Sequence, residues 1–179
     1  MKSNLFEYPS FQYQVEDWDF KKKGLLNRIN SQNFVRSEIQ TFESDRRTNN
    51  KSYLHYLREL ISPELNQFCQ EAQVSCTMTD AWAVRYKQGD HQTVHNHRSY
   101  GFSGILYVEY DSKLHTPTCF VAPWQDPRSD TTLLSFPKDV TEGTIVIVPS
   151  FSLHFVYPNQ SRKQRTIVAF DLLPIESNS

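Results

Sequence analysis

The residues best suited to chemistry are two histidines in mid-chain, a third further on, and an arginine near the end. His95 and His97 lie two residues apart, so in a β-strand both imidazoles would enter one cavity. His154, from a later strand-like segment, would supply a third nitrogen, and three such ligands are typical of a transition-metal site. Arg165 heads an apolar run and suits bidentate capture of a carboxylate. Its competitor, Arg162, falls in a predicted exposed turn.

The remaining histidines are less suited to this role. His91 lies in a turn just before the pair, and either it or Asp90 stays open as a substitute ligand. His55 falls in a helical pattern and His115 in a loop. We expect both of them at the surface, because an isolated histidine is more often a surface residue than a ligand.

Two kinds of pattern position these residues. Before about residue 75, apolar residues recur at intervals of three and four, which predicts helices over 15–29 and 53–61. Ser62 and Pro63 predict a further helix, as its N-cap and first helical residue. After residue 76 the texture becomes β. Eight strands are predicted, over 79–86, 92–97, 102–110, 118–121, 132–136, 144–148, 154–157 and 164–173.

So many short strands predict a two-sheet roll or barrel. We therefore expect a mainly β, α+β protein of one structural domain, in which residues 79–179 form the catalytic core. Residues 1–78 are expected to form a helical extension packed on one sheet. The turn-rich segment 122–130, which carries a large aromatic residue, is predicted to be a rim loop that selects substrate.

Composition narrows the function classes. The 179 residues carry a net charge of -1, so no nucleic-acid partner is expected. Three cysteines without a CxxC pair indicate a reduced protein. The sequence shows neither a secretory signal nor an apolar stretch long enough to span a membrane, so we expect a cytoplasmic location. The oligomeric state is left open.

The order of motifs carries a family resemblance. The motifs are Trp82-Ala83-Val84-Arg85-Tyr86, Gly89, His95-Asn96-His97, Ser103-Gly104-Ile105-Leu106-Tyr107-Val108, Gly143-Thr144-Ile145-Val146-Ile147-Val148-Pro149-Ser150, His154 and Arg165. Their order resembles the 2-oxoglutarate and Fe(II)-dependent oxygenase superfamily, closest to its prolyl-hydroxylase-like branch and to small oxygenases of bacteria and phages. The resemblance covers about residues 79–173 and implies a double-stranded β-helix, the jelly-roll or cupin-like fold.

The resemblance implies an Fe(II) centre held by the histidines. His95 and His154 match two metal ligands, while His97 occupies the position where the family usually has aspartate or glutamate. Three neutral imidazoles leave the metal more positive and resemble a catalytic zinc site. This departure puts the identity of the metal in question, but not the fold.

The same resemblance implies a pocket for 2-oxoglutarate. Arg165 would pair with its distal carboxylate, Tyr107 would contact that carboxylate, and Tyr86 would line the pocket. Each tyrosine is equally well explained as a core aromatic residue. The catalytic set is thus His95, His97, His154 and Arg165.

The implied reaction is hydroxylation with release of succinate and CO2. The branch resemblance suggests a protein or peptide side chain as substrate, with a free amino acid or small metabolite open. One alternative is a cupin-like three-histidine enzyme without 2-oxoglutarate, either a dioxygenase or a zinc hydrolase. Another is a catalytically silent binding module. Arg165 discriminates, because the keto-acid-independent enzymes need no carboxylate anchor.

Overall fold

The protein is described by a computed structural model over residues 9–36, 41–49 and 51–175. Its helices are α1 (Trp18–Asn30), α2 (Leu54–Leu60) and α3 (Ser62–Glu71). Its strands are β1 (Phe11–Gln14), β2 (Val35–Arg36), β3 (Glu43–Ser44), β4 (Cys76–Tyr86), β5 (Gln92–His95), β6 (Phe102–Glu109), β7 (Cys119–Asp126), β8 (Thr131–Ser135), β9 (Thr144–Pro149), β10 (His154–Val156) and β11 (Arg165–Pro174).

The strands form two antiparallel sheets with the double-stranded β-helix topology that the family resemblance implies. The larger sheet has the order β1-β9-β6-β11-β4-β3-β2, and the smaller has the order β5-β10-β7-β8. Apart from β2, β3 and β4, and the pair β7 and β8, neighbouring strands are distant in sequence. From β4 to β11 the chain therefore passes repeatedly from one sheet to the other. The mainly β fold class is confirmed.

Two apolar layers follow from alternation along the larger sheet. In β4, Ala81 and Ala83 pack with the helices, whereas Trp82 and Val84 lie in the layer shared with the smaller sheet. Successive side chains of a strand lie on opposite faces. The helices therefore cover the outer face of the larger sheet, as predicted, and the inner face is free to line a cavity.

The predicted helices are present, with two corrections. The helix expected from residue 15 begins at Trp18, because Phe11–Gln14 pairs with β9 at the sheet edge. Ser62 is the first helical residue rather than the N-cap, and its hydroxyl donates to the Glu59 carbonyl. Strands β1, β2 and β3 were missed, since two to four residues are too few for alternation to show.

The eight predicted strands are also present, again with two corrections. β5 ends at His95, so placing His97 inside this strand was wrong. The predicted rim loop 122–130 was wrong too, because β7 continues to Asp126 and pairs with β8 as a hairpin. A break in the register between Val121 and Gln125 interrupts the alternation there and hides the strand.

The N-terminal part supplies β1, β2 and β3 as well as the helices. The division between an extension over 1–78 and a core over 79–179 stays a prediction. Within the described ranges, no helix combines the length and apolar character needed to cross a membrane.

Candidate active site

The three predicted histidines come together between the sheets. His95 ends β5 and His154 begins β10, and the two residues are direct cross-strand partners. His97 lies in the following loop, where its backbone N–H donates to the Ser150 carbonyl at 3.0 Å. One ring nitrogen from each histidine lies within 4.8 Å of the others. The loop thus brings to the cluster the ring that a continuous strand was expected to bring.

Hydrogen bonds orient each ring. Nδ1 of His95 lies 2.8 Å from the Thr93 carbonyl oxygen, and Nδ1 of His154 lies 2.9 Å from the Ser152 carbonyl oxygen. A carbonyl oxygen only accepts, so both Nδ1 atoms carry the proton. The Nε2 atoms therefore carry the lone pairs that a metal would use; that of His95 accepts a hydrogen bond from Gln92 Nε2, which a metal would replace.

The third ring has a different partner. His97 Nδ1 lies 3.0 Å from Asp171 Oδ1, and both side chains are buried. Burial raises the pKa of Asp171, while the hydrogen bonds from His97 and Ser103 lower it; the lowering prevails. The carboxylate is therefore ionised at neutral pH and accepts the Nδ1 proton of His97.

Burial keeps two of the rings neutral. It lowers the pKa of His154 to about 3, with a further contribution from the other two histidines. Burial also lowers the pKa of His95. Because a metal binds the unprotonated nitrogen, no proton competes at these positions at neutral pH.

The cavity at the histidines is small and mostly apolar. Its volume is about 20 Å³, room for roughly one water molecule or one ion. Trp82 forms part of the wall, with its ring centroid 5.3 Å from that of His97. The guanidinium of Arg46 lies 4.3 Å from the Trp82 ring centroid.

Arg165, the first residue of β11, is only 2% exposed. It donates from Nη1 to the Thr116 carbonyl at 2.9 Å and from Nη2 to the Thr118 hydroxyl at 3.1 Å. Its Nε has no hydrogen-bond partner, and no carboxylate of a described residue forms an ion pair with it. Guanidinium groups stay protonated, so this is a buried cation to which the described residues supply no anion.

Three tyrosine rings surround this cation. The guanidinium carbon lies 5.3, 5.4 and 5.9 Å from the ring centroids of Tyr86, Tyr107 and Tyr110. The Tyr107 hydroxyl accepts the Thr118 backbone N–H at 3.1 Å, which supports the residue that binds Arg165. The two tyrosines predicted from the sequence thus lie at Arg165, and Tyr110 was missed.

A polar bridge links the arginine to the histidines. The Tyr86 hydroxyl donates to Gln92 Oε1 at 2.7 Å, and Gln92 Nε2 lies 3.0 Å from His95 Nε2. Thr118 lines the cavity at the histidines, and Val156 lines both this cavity and the pocket at Arg165. The two groups are therefore adjacent parts of one interior region.

The substitute ligands do not join the cluster. Asp90 accepts two hydrogen bonds from Arg36, at 2.7 and 2.9 Å, so its carboxylate is already in an ion pair. The His91 backbone and ring contact Thr41 instead. His55 is exposed, as predicted.

His115 was wrongly expected at the surface. It is buried, its Nδ1 accepts the Asp111 N–H at 3.1 Å, and its Nε2 donates to the Lys163 carbonyl at 3.0 Å. Burial lowers its pKa. These bonds fix the segment whose Thr116 and Thr118 bind Arg165, so His115 supports the position of Arg165 indirectly.

A more spacious apolar cavity, of about 190 Å³, adjoins the site. Phe120 and Val148 line both this cavity and the one at the histidines. Trp124, in the segment predicted to select substrate, lines it as well, although from strand β7 rather than from a loop.

The fold and the histidine cluster together define a double-stranded β-helix protein with a candidate transition-metal centre. Residues 80–171 match the family described as "Putative 2OG-Fe(II) oxygenase", which is just over half of the chain. The protein therefore belongs to this family of 2-oxoglutarate and Fe(II)-dependent oxygenases. A search of curated proteins finds no match to the sequence.

Solved structures share the fold at low sequence identity. HygX from Streptomyces hygroscopicus, with nickel and 2-oxoglutarate bound, has a TM-score of 0.71 at 10% identity, covering 93% of this chain and 83% of that one. The viral collagen prolyl hydroxylase of Paramecium bursaria Chlorella virus-1, as a 2-oxoglutarate complex, has a TM-score of 0.61 at 14% identity, covering 95% and 97%. A Pseudomonas putida prolyl-4-hydroxylase has a TM-score of 0.60 at 13% identity, covering 92% of each chain.

The residues present fit the family's metal and cosubstrate. One nitrogen from each of three imidazoles converges where one ion fits, and imidazole is a donor that Fe(II) accepts. A buried cation with an unpartnered Nε suits the carboxylate of a keto diacid. Such a diacid is larger than the 20 Å³ cavity, so its binding requires wall side chains to move.

Proposed function

We propose that the protein is an Fe(II)- and 2-oxoglutarate-dependent hydroxylase. The observation that supports this best is Arg165, a buried cation for which the described residues supply no anion. Burying a charge without a partner is costly. A bound carboxylate offsets that cost. An enzyme that does not use a keto acid would have no need of a buried arginine to bind one.

In this proposal each residue has a definite task. His95, His97 and His154 hold the metal through Nε2, and Arg165 orients the far carboxylate of the keto acid. When bound, Fe(II) and 2-oxoglutarate supply the O2-dependent oxidation, which releases succinate and CO2. The apolar wall around Trp82 excludes water from the reacting groups.

The tyrosines act on the anchor rather than on the metal. Tyr107 supports Thr118 through its hydroxyl, and Tyr86 places its ring against the guanidinium. With both contacts in place the guanidinium keeps one orientation, so the keto acid is positioned before the substrate reacts.

We place the substrate in the apolar cavity of about 190 Å³ that adjoins the site. Its walls favour an uncharged group, which agrees with a protein or peptide side chain as substrate. Proteins of related fold differ in the molecules they are associated with: one neighbour is a collagen prolyl hydroxylase, and HygX has been crystallised with the small molecule hygromycin B. A cytoplasmic location stays a prediction.

The test compares Arg165→Gln with Arg162→Gln, a matched change at an exposed arginine. Each protein is loaded with Fe(II) without oxygen and titrated with 2-oxoglutarate, and the visible charge-transfer absorption of the complex is followed. Oxygen is then admitted and succinate is measured. Wild type and Arg162→Gln should bind and turn over the keto acid.

Arg165→Gln should bind iron normally but lose at least about 30-fold in 2-oxoglutarate affinity, since truncating a buried charge pair costs at least about 2 kcal/mol. Iron binding without keto-acid binding in wild type would favour the three-histidine dioxygenase or zinc hydrolase. Absence of metal binding would favour the silent binding module.

A further inference from the structure

Asp171 distinguishes one histidine from the other two. The outer nitrogens of His95 and His154 meet neutral carbonyl groups, whereas that of His97 meets a carboxylate. Asp171 is 3% exposed and lies on the inner face of β11. The carboxylate has been brought to this position by the sheet, behind the ring and away from the cavity.

The other contacts of Asp171 are weaker or neutral. Ser103 donates its hydroxyl to Oδ1 at 3.1 Å, which adds no charge. Arg98 approaches Oδ2 only to 3.5 Å and is 42% exposed, so water screens this pair. His97 is therefore the closest partner of the buried carboxylate.

Three imidazoles bring no negative charge to a divalent ion. When the ring nitrogen that does not bind the metal donates a hydrogen bond to a carboxylate, that bond fixes the orientation of the histidine ring and makes it a stronger base. We propose that Asp171 is a positioning residue that fixes His97 and supplies, through its ring, the negative charge that the direct ligands lack. This inference rests on the metal centre of the proposed function.

The position of Asp171 in β11 adds a second consequence. Arg165 and Asp171 lie on the same face of this strand, six residues apart, or about 20 Å along it. One strand thus supports the carboxylate anchor at its start and the metal ligand further on. A shift of β11 would misplace both groups together.

The experiment places Asp171→Asn in two backgrounds, wild type and His97→Asp. Binding of Co(II) to the purified full-length protein is measured by calorimetry and by its visible absorption, without oxygen or keto acid. In wild type, the charge loss should weaken Co(II) binding about 10- to 100-fold. In His97→Asp a carboxylate meets the metal directly, so Asp171→Asn should change the affinity by about twofold or less.

Two further variants keep the test decisive. Ser103→Ala removes a neutral contact of Asp171 and should leave Co(II) affinity within about twofold of wild type. Arg98→Gln removes an opposing surface cation, so it should hold or raise the affinity even if Asp171→Asn folds poorly. Thermal unfolding of each metal-free variant reports its folding.

Three outcomes would overturn the inference but not the metal centre. They are an unchanged Co(II) affinity in Asp171→Asn, an equal loss of Co(II) affinity in both backgrounds, and a loss of Co(II) affinity in Arg98→Gln. Failure of wild type itself to bind Co(II) would overturn the metal centre, and with it the proposed function.

Discussion

The two ends of the interior site differ in how they hold charge. The metal pole (His95, His97 and His154) consists of three rings, one nitrogen of each lying within 4.8 Å of the others. The anion pole (Arg165 with Tyr86, Tyr107 and Tyr110) consists of a guanidinium enclosed by aromatic rings. Both poles are desolvated. A protonated imidazole can lose its proton and become neutral, whereas the guanidinium cannot.

Desolvation therefore has opposite consequences at the two poles. At the metal pole it lowers the pKa of His95 and His154, which leaves neutral donors ready for a cation. At the anion pole the guanidinium keeps its proton and its charge. Burial alone thus leaves uncharged donors at one pole and a retained positive charge at the other.

Removal of one ring should break the metal pole alone. His154→Gln keeps polarity and approximate size but deletes an imidazole, so the affinity for Co(II) should fall by more than about 100-fold, the upper range for loss of a supporting residue. His91→Gln, outside the cluster, should bind Co(II) like wild type. Calorimetry on both variants checks this, and equal binding by the two would exclude His154 as a ligand.

A smaller change should weaken the anion pole alone. Tyr107→Phe leaves the buried Thr118 N–H without its acceptor, a loss of about 1–2 kcal/mol, so 2-oxoglutarate affinity should fall about 5- to 30-fold. Co(II) affinity should stay unchanged. Tyr86→Phe keeps the Thr118 contact and should weaken keto-acid binding less; the reverse order would contradict the assigned roles.

The smallest effect concerns the support of the anion pole. Folding lowers the pKa of His115 below its usual value. On acidification, His115 of the unfolded chain therefore takes up a proton at a higher pH than His115 of the folded chain. Its contribution to the free energy of unfolding is thus complete above about pH 6.5 and declines as the pH falls toward the folded pKa.

Urea unfolding at about pH 7.5 and about pH 5 measures this loss. His115→Gln cannot titrate, so it should lose less stability on acidification than wild type, although His95 and His154 still titrate in both. An identical loss in the two proteins would show that His115 takes up no proton on unfolding.

The sequence predicted the candidate metal-binding and cationic residues better than the residues that position them. The types and order of His95, His97, His154 and Arg165 sufficed to predict a metal beside a cation, because ligand chemistry depends on residue type. That His97 reaches the cluster from a loop depends instead on a tertiary hydrogen bond to Ser150, which local alternation does not record.

Supporting residues carried weaker signals. Asp171 is a charged residue in an apolar strand, on the same face as Arg165, so alternation alone was enough to suggest that it points inward. His115 and Gln92 had no such signal, since their roles depend on partners as distant as Lys163. The short strands β2 and β3 depend on pairing with β4 and have no periodicity of their own.

The contact between Trp82 and His97 gives the site an optical reporter. The chain has three tryptophans, and the Trp82 ring lies 5.3 Å from the His97 ring. A paramagnetic ion held by that histidine would quench indole emission at this range, whereas Zn²⁺ would quench far less. Intrinsic fluorescence, with Trp82→Phe to subtract the other indoles, therefore follows occupancy of the centre without any label.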